Sequence, residues 1–528
     1  MSAGVDELVA WLSAARVHRV VELALPCALW SLVRLPEDAG PLALLDRAVR
    51  GSPYATTARV ALAPRFTLSA GRLASSARAA RRMPWDDAAC PPRLVADAET
   101  LLTDLRGEAP AEARIVGCPL ALVERLLRAA AGSVPDAAGC GPYACGFVGF
   151  VGDGAAHFVE SLHGLPVRPR EDAPDLALFF ADAVLVTDDA DATTAKLSLV
   201  GRGASHEAAR ADADALEARI RALLAPGPWC APREARAPEA AAPRVVSGYS
   251  AASYAALVAR AKESIAAGEV FQLCVTHTLS VEPRPREPAA LYEALRAANP
   301  APFSSYLRLG GVHVVSSSPE RFLRVTREGA VQARPIKGTR PRGATAEDDA
   351  LLAEELAASE KDGAENDMIV DLLRNDLARV SVPGSVRVRE RRVVEPHARV
   401  HQLVSTIESR LLPGRGPVDL LRAAFPPGSM TGAPKVRAVE LLAELEPRER
   451  GVYAGAIGYL DASGALDTSV AIRTFVLTRG ACTFGVGGGV VHDSEPLAEW
   501  QETLDKARAL VAALEDYFGL PVGWEHRP

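Results

Sequence analysis

The stretch Arg334-Pro-Ile-Lys-Gly-Thr-Arg-Pro-Arg342 places a single lysine, Lys337, on a stiff segment of backbone. Pro335 fixes the angle φ two residues before the lysine, and Gly338 permits backbone geometry that other residues resist. A lysine amine becomes a nucleophile only when it is uncharged, which burial or a neighbouring cation favours. The three arginines of the stretch are candidates for that cation. For this stretch by itself an exposed basic loop is the simpler interpretation, so the rest of the chain has to decide.

The composition is typical of a globular protein. The chain has 528 residues, of which 48% are hydrophobic and 24% charged, and this length predicts two to four domains, or two large ones. A formal net charge of -7 argues against non-specific binding of nucleic acid. There is no long apolar run and no basic N-terminal segment, so neither a transmembrane helix nor a signal peptide is expected. Eight cysteines without a Cys-x-x-Cys pair indicate free thiols and a cytoplasmic location.

A linker is predicted over residues 225–244, which are rich in alanine, proline and arginine and lack a hydrophobic period. It separates an N-terminal region, residues 1–224, from a C-terminal domain, residues 245–520. In that domain, strand-like segments joined by tight turns alternate with long segments of helical period. Strands in hairpins mixed with long helices predict an α+β fold rather than a doubly wound sheet.

A predicted helix over residues 364–378 carries a carboxylate on its buried side. Glu365 shares a face with Ile369 and Leu372 and lies three residues after Asp362. A carboxylate on a buried stripe has to be paired, protonated or bound to a metal. An acid near a helix start, stabilised by backbone N–H groups and the helix dipole, explains Glu365 equally well. From these residues alone both interpretations stay open.

The predicted C-terminal helix, residues 495–518, places Glu499, Glu502 and Lys506 on one face, roughly opposite its apolar stripe. A solvated face with a Glu502–Lys506 pair is the simpler interpretation. The alternative is that this face lines a polar cavity. In that case Glu365 and Glu502 would hold one Mg²⁺ between them, with oxygen ligands and retained waters.

The run Phe484-Gly-Val-Gly-Gly-Gly-Val490 precedes that helix. It does not fit the Gly-x-Gly-x-x-Gly fingerprint of nucleotide sites, because Val490 stands where the last glycine belongs. Exposed backbone N–H groups at residues 487–489 would instead make a nest for a carboxylate, and Arg473 would clamp a carboxylate through two hydrogen bonds. A bend at a sheet edge and a surface arginine explain the same residues without any ligand.

Several motifs, taken in this order, make the chain resemble the chorismate-utilising enzymes. They are Ser318-Pro-Glu-Arg-Phe322, Pro335–Arg340, Ile369-Val-Asp-Leu-Leu-Arg-Asn-Asp376, Gly432-Ala-Pro-Lys435 and Glu502-Thr-Leu-Asp-Lys506. The resemblance extends from Gly248 to Leu514 and is loose in the N-terminal half. It implies that the α+β fold has two lobes, with mixed sheets forming a β-sandwich and helices around it.

The resemblance also implies a role for each matching residue. Glu365 and Glu502 would carry Mg²⁺, which grips the ring carboxylate of chorismate. Lys337, Glu320 and His401 would form the catalytic set, with Glu320 as the general acid that protonates the leaving 4-hydroxyl and His401 orienting the substrate. The remaining implied residues contact the substrate or lie beside the metal: Gly338, Thr339, Tyr453, Arg473, Gly487, Gly488 and Lys506.

Two positions separate the branches of this family. Water-adding relatives have a lysine base at the position of Gln272, so the resemblance disfavours water as the nucleophile. Anthranilate-forming relatives typically have alanine at the position of Lys337, whereas the aminodeoxychorismate-forming branch has this lysine. There it is thought to attack C2 of chorismate while the 4-hydroxyl leaves, after which ammonia enters at C4 and expels it.

The resemblance therefore implies an enzyme that makes 4-amino-4-deoxychorismate, on the route to para-aminobenzoate and folate. No cysteine lies in a Gly-x-Cys-x-Gly context, so the ammonia is expected from glutamine through a separate glutaminase subunit. One alternative is an anthranilate-forming enzyme that has acquired the lysine. A second is a non-catalytic protein that binds chorismate or tryptophan, against which the set Glu320, Glu365 and Glu502 argues.

Overall fold

The computed structural model describes residues 3–46, 57–72, 79–81, 93–95, 98–107, 110–131, 143–160, 162, 173–231, 242–309, 311–397 and 399–526. Half of the predicted linker, residues 232–241, lies outside this described part. None of the described helices is long and apolar enough to cross a membrane.

Ten α-helices are present in the described residues: α1 Ala3–Leu12, α2 Pro119–Ala130, α3 His206–Leu223, α4 Ala251–Ala266, α5 Pro288–Ala298, α6 Ala346–Ala358, α7 Glu360–Ala378, α8 Pro417–Ala424, α9 Lys435–Leu445 and α10 Pro496–Phe518. The two helices that were predicted to carry the carboxylates are therefore present as α7 and α10. Helix α7 begins earlier than the sequence indicates, because the Ser359 hydroxyl accepts a hydrogen bond from the Asp362 N–H at 3.2 Å and caps its first turn.

The same described ranges contain 27 β-strands. In the first half of the chain they are β1 Ala15–Ala24, β2 Leu42–Asp46, β3 Ala58–Ala61, β4 Phe66–Arg72, β5 Ala79–Arg81, β6 Arg93–Val95, β7 Ala98–Asp104, β8 Ala111–Gly117, β9 Gly146–Val151, β10 Leu176–Ala181, β11 Ala183–Thr187, β12 Thr194–Gly203 and β13 Arg244–Ser247. In the second half they are β14 Gln272–Glu282, β15 Phe303–Leu309, β16 Val312–Ser318, β17 Arg321–Val325, β18 Ala330–Ala333, β19 Ile336–Pro341, β20 Arg387–Pro396, β21 Val400–Arg410, β22 Gly432–Ala433, β23 Ala456–Asp461, β24 Leu466–Val470, β25 Thr474–Leu477, β26 Cys482–Val490 and β27 Gly523–His526.

Two large sheets contain all of these strands except the small β5–β6 pair. The first has the order β1-β12-β11-β3-β2-β15-β16-β25-β26-β14-β13-β27, with β22 beside β14. The second has the order β19-β21-β18-β17-β24-β23-β9-β10-β4-β7-β8, with β20 beside β21. Among the described pairings only β13 and β27 run parallel. The predicted α+β class, with hairpin-linked strands and surrounding helices, is confirmed.

Each sheet draws strands from both sides of the linker. In the first sheet β2 pairs with β15, and in the second β9 pairs with β23. Residues 1–224 and 245–520 thus both contribute strands to each of the two large sheets. The sandwich predicted from the resemblance is present, because Phe150 and Phe179 of the second sheet join Leu307 and Val314 of the first in one buried apolar cluster.

Helices cover the outer faces of this sandwich. Helices α3, α5 and α10 bury apolar side chains against the first sheet, and α1, α2, α7 and α8 do so against the second. The strand that carries Lys337, β19, ends the second sheet, while β14 and β26 are neighbours in the first. The edge of one sheet and the surface of the other therefore meet between α7 and α10.

Candidate active site

Lys337 projects from a bulge in β19. Ile336 pairs with Val404 and Thr339 with Gln402, so three steps along β19 match two along β21. Gly338 makes this possible because its φ is +84°, and a Cβ there would lie 2.9 Å from atoms of Asp362. The Lys337 side chain is only 12% exposed, and its Nζ is 3.9 Å from Oε2 of Glu365. The lysine is thus a half-enclosed residue of a cleft and not part of a surface loop.

The arginines around Lys337 do not supply the expected neighbouring cation. Arg334 forms an ion pair with Glu395, Arg340 with Glu355 and Asp362, and Arg342 with Asp349. Each guanidinium is thereby directed to a carboxylate of a neighbouring strand or helix. The charges that act on the Lys337 amine are instead carboxylates, described below.

Gln272 and Gly489 form the wall opposite Lys337. A Cβ added at Gly489 would lie 2.2 Å from Nε2 of Gln272 and 3.0 Å from Nζ of Lys337. The two side chains therefore approach the same point of β26, and only a glycine leaves room for both. Oε1 of Gln272 is buried and has no hydrogen-bond partner in the structure, so it is available to a donor that enters the cleft.

Glu320 is a buried acid immediately before β17. Its side chain is 6% exposed, and burial raises its pKa to about 7, although the Ser429 hydroxyl, the charge of Lys337 and the Ile336 N–H all act in the opposite direction. A carboxyl group with this pKa is protonated in a large fraction of molecules near neutral pH. It is therefore suited to donate a proton to a leaving oxygen.

Three carboxylates converge where α7 faces α10. Burial raises the pKa of Glu365, and the charge of Glu502 adds to that effect while Lys337 opposes it. For Glu502, burial is outweighed by Lys506, whose Nζ is 2.6 Å from Oε1, so the pKa is lowered. Glu499 belongs to the same group, since a Cβ at Gly488 would lie 2.7 Å from its Oε2 and 3.5 Å from Oε1 of Glu502.

This group fits a hard divalent cation. Glu365 and Glu502 repel each other, and Oε2 of Glu499 is buried without a hydrogen-bond partner in the structure. Within the described residues no three or more His, Cys, Asp or Glu side chains form a complete metal site. A cation between Glu365 and Glu502 would take its other ligands from water or substrate, as Mg²⁺ does when it binds through one or two carboxylates.

The glycines of residues 487–489 lie inside strand β26 and not in a turn. This segment pairs with β14 along one edge, whereas β25 pairs only with residues 482–484 of β26. The other edge of residues 485–490 is therefore open beside the carboxylates. Lys506 is attached to this edge, because its Nζ donates to the carbonyl of Gly487 at 2.7 Å.

Tyr453 and Arg473 border the same edge. A Cβ at Gly485 would overlap the Tyr453 ring, 2.2 Å from its Cδ1, so the ring lies flat against the strand. Arg473 has a φ of +52° and donates through Nη1 to the Lys506 carbonyl, which anchors it beside α10. Burial lowers the pKa of Arg473, with Tyr453 and Glu502 opposing the shift. A buried guanidinium with remaining N–H donors can receive a carboxylate.

His401 is the predicted site residue that the structure does not bring to this group. It lies opposite Arg340 in the β19–β21 register, and its Nε2 is 2.8 Å from Oδ1 of Asp349 on α6. Neighbouring residues of a strand point to opposite faces, so Gln402, which lies opposite Thr339, shares the face of that threonine. Gln402 is 7% exposed and its Oε1 has no partner in the structure.

Neither Ser429 nor Gln402 was predicted from the sequence, and Gly489 was predicted only as part of the nest of residues 487–489. Ser429 lies in the loop Phe425–Lys435, whose proline-rich composition indicated only a turn before a helix. The signal that would have selected Gln402 is strand alternation together with the bulge at Gly338, and that bulge depends on pairing with β21.

Comparison with known proteins identifies the family of this chain. The sequence profile of the chorismate binding enzyme family matches residues 96–512. An aminodeoxychorismate synthase from Streptomyces griseus is 46% identical over 349 residues, which are 66% of this chain and 48% of that protein. The chain thus spans about half the length of that relative. An anthranilate synthase component 1 from Pseudomonas putida is 39% identical over 407 residues, 76% of this chain and 81% of that one.

Solved structures show the same architecture. Anthranilate synthase component I from Streptococcus pneumoniae superposes with a TM-score of 0.66 at 27% identity, over 88% of this chain and 93% of that one. The isochorismate synthase MenF from Escherichia coli, at 19% identity, shares the fold with a TM-score of 0.65 over 97% and 98% of the two chains. The sequence profile covers well over half of the chain, and the protein therefore belongs to the family of chorismate binding enzymes.

Proposed function

We propose that this chain converts chorismate and ammonia to 4-amino-4-deoxychorismate and water. The observation that carries the proposal is the position of Lys337, whose amine faces Glu365 and Gly489 in a cleft that also contains Glu320. A lysine at this point is within reach of a ring that is bound between β26 and the carboxylates. If no substrate bound here, Lys337, Glu365 and Glu320 would form a cluster of largely buried charges without a ligand.

In the first step Lys337 is the nucleophile. The lone pair of its uncharged amine forms a bond to C2 of chorismate, and the two ring double bonds shift towards C4. The C4–O bond breaks, and the proton of Glu320 goes to the leaving oxygen, which departs as water. A pKa of about 7 leaves the Glu320 carboxyl able to give up this proton near neutral pH.

In the second step ammonia reverses the shift. Its lone pair forms the C4–N bond, the double bonds return to their first positions, and the bond between C2 and Lys337 breaks. The lysine leaves as an amine, and the proton lost by the new C4 amino group restores the acid form of Glu320. One difficult displacement is thereby divided into two easier ones.

The other residues bind and orient the substrate in this proposal. Arg473 and Tyr453 receive the pyruvyl carboxylate at the open edge of β26, with backbone groups of Gly487 and Gly488. Thr339 and Gln402 contact the ring from β19 and β21, and Gln272 supplies an amide where a base for water would be required. Mg²⁺ between Glu365 and Glu502, when bound, neutralises the ring carboxylate.

Relatives named anthranilate synthase component 1 leave a second candidate, an anthranilate-forming enzyme. It is favoured by the 39% identity to the Pseudomonas putida anthranilate synthase component 1 over 81% of that protein. Support for the first candidate comes from Lys337 itself and from the 51% identity, over 248 residues, to aminodeoxychorismate synthase component 1 of Klebsiella aerogenes. Both candidates use ammonia, which a separate glutaminase subunit would release from glutamine.

The test is a product assay with purified protein, chorismate, Mg²⁺ and an ammonium salt. We expect a product that lyase treatment converts to para-aminobenzoate, and no anthranilate fluorescence. Anthranilate formed without added lyase would assign the chain to the second candidate. Omitting ammonium should leave Lys337 covalently attached to the ring, and intact-protein mass spectrometry should detect the addition of chorismate less one water.

A further inference from the structure

The loop of residues 425–434, which connects α8 to α9, carries a hydrogen-bond partner of the proposed acid. We refer to it as the α8–α9 loop. Ser429 lies in its short turn Gly428–Met430, and the Ser429 hydroxyl donates to the Glu320 carboxylate. The distance between these two side chains therefore depends on the contacts that hold the loop in place.

Lys435 joins both ends of the α8–α9 loop to helix α7. It is the first residue of α9, and its Nζ is 2.6 Å from Oδ2 of Asp376, near the end of α7. The same Nζ donates to the carbonyl of Ala424, the last residue of α8, at 2.5 Å. A cation beside the final carbonyls of a helix is favourable, because the helix dipole is negative there. One amine thus connects the end of α8, the start of α9 and α7.

The Asp376–Lys435 pair is buried, with only 9% and 10% of the two side chains exposed. Burial raises the pKa of Asp376 to about 6, with Lys435 and Arg379 opposing the shift and Glu160 adding to it. A buried ion pair contributes little net stability, because both charges have to be removed from water. What such a pair does supply is a fixed geometry between the elements that carry its two members.

Contacts on both sides of Ser429 transmit this geometry. On the α7 side the backbone of Gly428 lies close to the helix, since a Cβ there would be 2.2 Å from Cδ2 of Leu372. On the opposite side the Cys274 N–H of β14 donates to the Thr431 carbonyl at 2.7 Å. Ser429 is therefore placed between an attachment to α7 and an attachment to the first sheet.

The hydroxyl of Ser429 is the donor to Glu320 that depends on this loop. The other groups that favour the Glu320 carboxylate are the Ile336 N–H and the charges of Lys337 and Lys506, which belong to β19 and α10. Hydrogen bonds between oxygen atoms span about 2.5–3.0 Å, so a displacement of about 1 Å breaks one. Loosening the α8–α9 loop should therefore affect the acid through Ser429 and leave the other three groups in place.

We propose that Asp376 and Lys435 are positioning residues, whose ion pair holds the α8–α9 loop so that the Ser429 hydroxyl meets the Glu320 carboxyl group. The inference rests on the proposed function, because it assigns the pair to the acid of that reaction. Helix α7 carries Glu365 near its start and Asp376 near its end. The same helix thereby positions a candidate metal ligand and the hydrogen-bond donor of the acid.

Two variants remove the pair in different ways. Lys435→Met removes the amine but leaves the buried Asp376 carboxylate without its cation, which destabilises the fold. The double variant Asp376→Asn/Lys435→Met has no unpaired charge and so separates positioning from stability. Arg422→Met is the matched control, because Arg422 pairs with Glu124 at 2.5 Å, is 7% exposed and joins α8 to α2.

The measurement is kcat between pH 6 and pH 9 at saturating chorismate, Mg²⁺ and free ammonia. The rate should fall on the alkaline side as Glu320 loses its proton, and this fall is the alkaline limb. Both pair variants should move the limb to higher pH by about one to two units, as expected when a charged group loses a hydrogen bond. Neither should move it further in a Ser429→Ala background, because the same donor is already absent.

The controls distinguish positioning from general support of the fold. Arg422→Met should leave the alkaline limb where wild type has it, whatever its effect on melting temperature. Lys435→Arg keeps a cation that can donate to both acceptors and should restore the wild-type limb. An unmoved limb in both pair variants would overturn the proposal. So would an equal shift in Arg422→Met, or a full further shift in the Ser429→Ala background.

This experiment also separates the proposal from the product assignment. If wild type forms anthranilate, the product assignment fails, but the limb still tests the pair because that reaction also loses the 4-hydroxyl. If wild type forms aminodeoxychorismate and the pair variants keep its limb, the positioning role fails and the product assignment stands. Absence of any ammonium-dependent product in wild type would overturn both.

Discussion

Removing the hydroxyl of Ser429 should shift the alkaline limb of the pH–rate profile to higher pH. In the proposed mechanism Glu320 has to be protonated, and its pKa of about 7 means that the rate falls as pH rises through that value. The Ser429 hydroxyl donates to the carboxylate form and so holds the pKa down against burial. Without this donor the charged form is less stable, the pKa rises, and the acid form persists to higher pH.

The size of the shift follows from the strength of the lost interaction. A hydrogen bond to a charged group contributes about 1.5–3 kcal/mol, and about 1.4 kcal/mol corresponds to one pH unit, so Ser429→Ala should move the limb by about one to two units. The Ile336 N–H and the charge of Lys337 remain in place and limit the shift. At low pH, where Glu320 is protonated in both proteins, kcat should change little.

The measurement is kcat for aminodeoxychorismate formation between pH 6 and pH 9, at saturating chorismate, Mg²⁺ and free ammonia at each pH. Ser318→Ala is a matched control, because that hydroxyl bonds to the Glu320 N–H at 3.3 Å and to the Val470 carbonyl at 2.7 Å, away from the carboxyl group. Its limb should stay in place, and Glu320→Gln should have no such limb. A limb that is unmoved in Ser429→Ala, or that moves to lower pH, would refute the assignment of Glu320 as the acid.

Three further predictions concern the other sides of the cleft. Lys337→Ala should lower product formation about a thousandfold or more while chorismate still binds, and unchanged turnover would eliminate the covalent step. Glu365→Gln and Glu502→Gln should each raise the Mg²⁺ concentration for half-maximal activity about tenfold or more after treatment with EDTA, and a wild-type enzyme indifferent to EDTA would contradict the metal assignment. Gly489→Ala should lower kcat about tenfold or more, because its Cβ would lie 2.2 Å from Gln272 and 3.0 Å from the Lys337 amine. A normal kcat in Gly489→Ala would show that these side chains are free to move apart.

Local patterns in the sequence were sufficient for the helices that carry the carboxylates. The apolar period of α7 placed Glu365 among buried neighbours, and the period of α10 placed Glu502 roughly opposite a stripe that includes Trp500 and Leu514. Helical geometry is set within a few residues, so these faces can be read from spacing alone. The hydrophobic period of neither helix predicts that the two carboxylate-bearing faces lie against each other. It follows from the docking of both helices where the two sheets approach each other.

Strand pairing over long distances accounts for what the sequence did not predict. The N-terminal strands β9 and β10 enter the second sheet between β23 and β4, which no local pattern in residues 1–224 indicates. His401 and Gln402 differ in orientation only through the register of β21 against the bulged β19. A shift of one residue exchanges the two faces of a strand. A motif match that locates the strand correctly can therefore still select the side chain next to the one that faces the site.

The interpretation of Lys337 depends on its electrostatic surroundings more than on its own motif. Its charge opposes the rise that burial causes in the pKa of Glu320 and of Glu365, and it adds to the lowering of the pKa of Glu502. These acids lie before β17, on α7 and on α10. A lysine in a surface loop would act on none of them, because solvent screens such charges within a short distance. The arginines beside it in sequence are directed to other carboxylates, so Lys337 is the cation of its stretch that faces this group. An amine placed among an acid and two potential metal ligands is suited to bond with a substrate that needs all three, and the bulge at Gly338 is what turns it towards them.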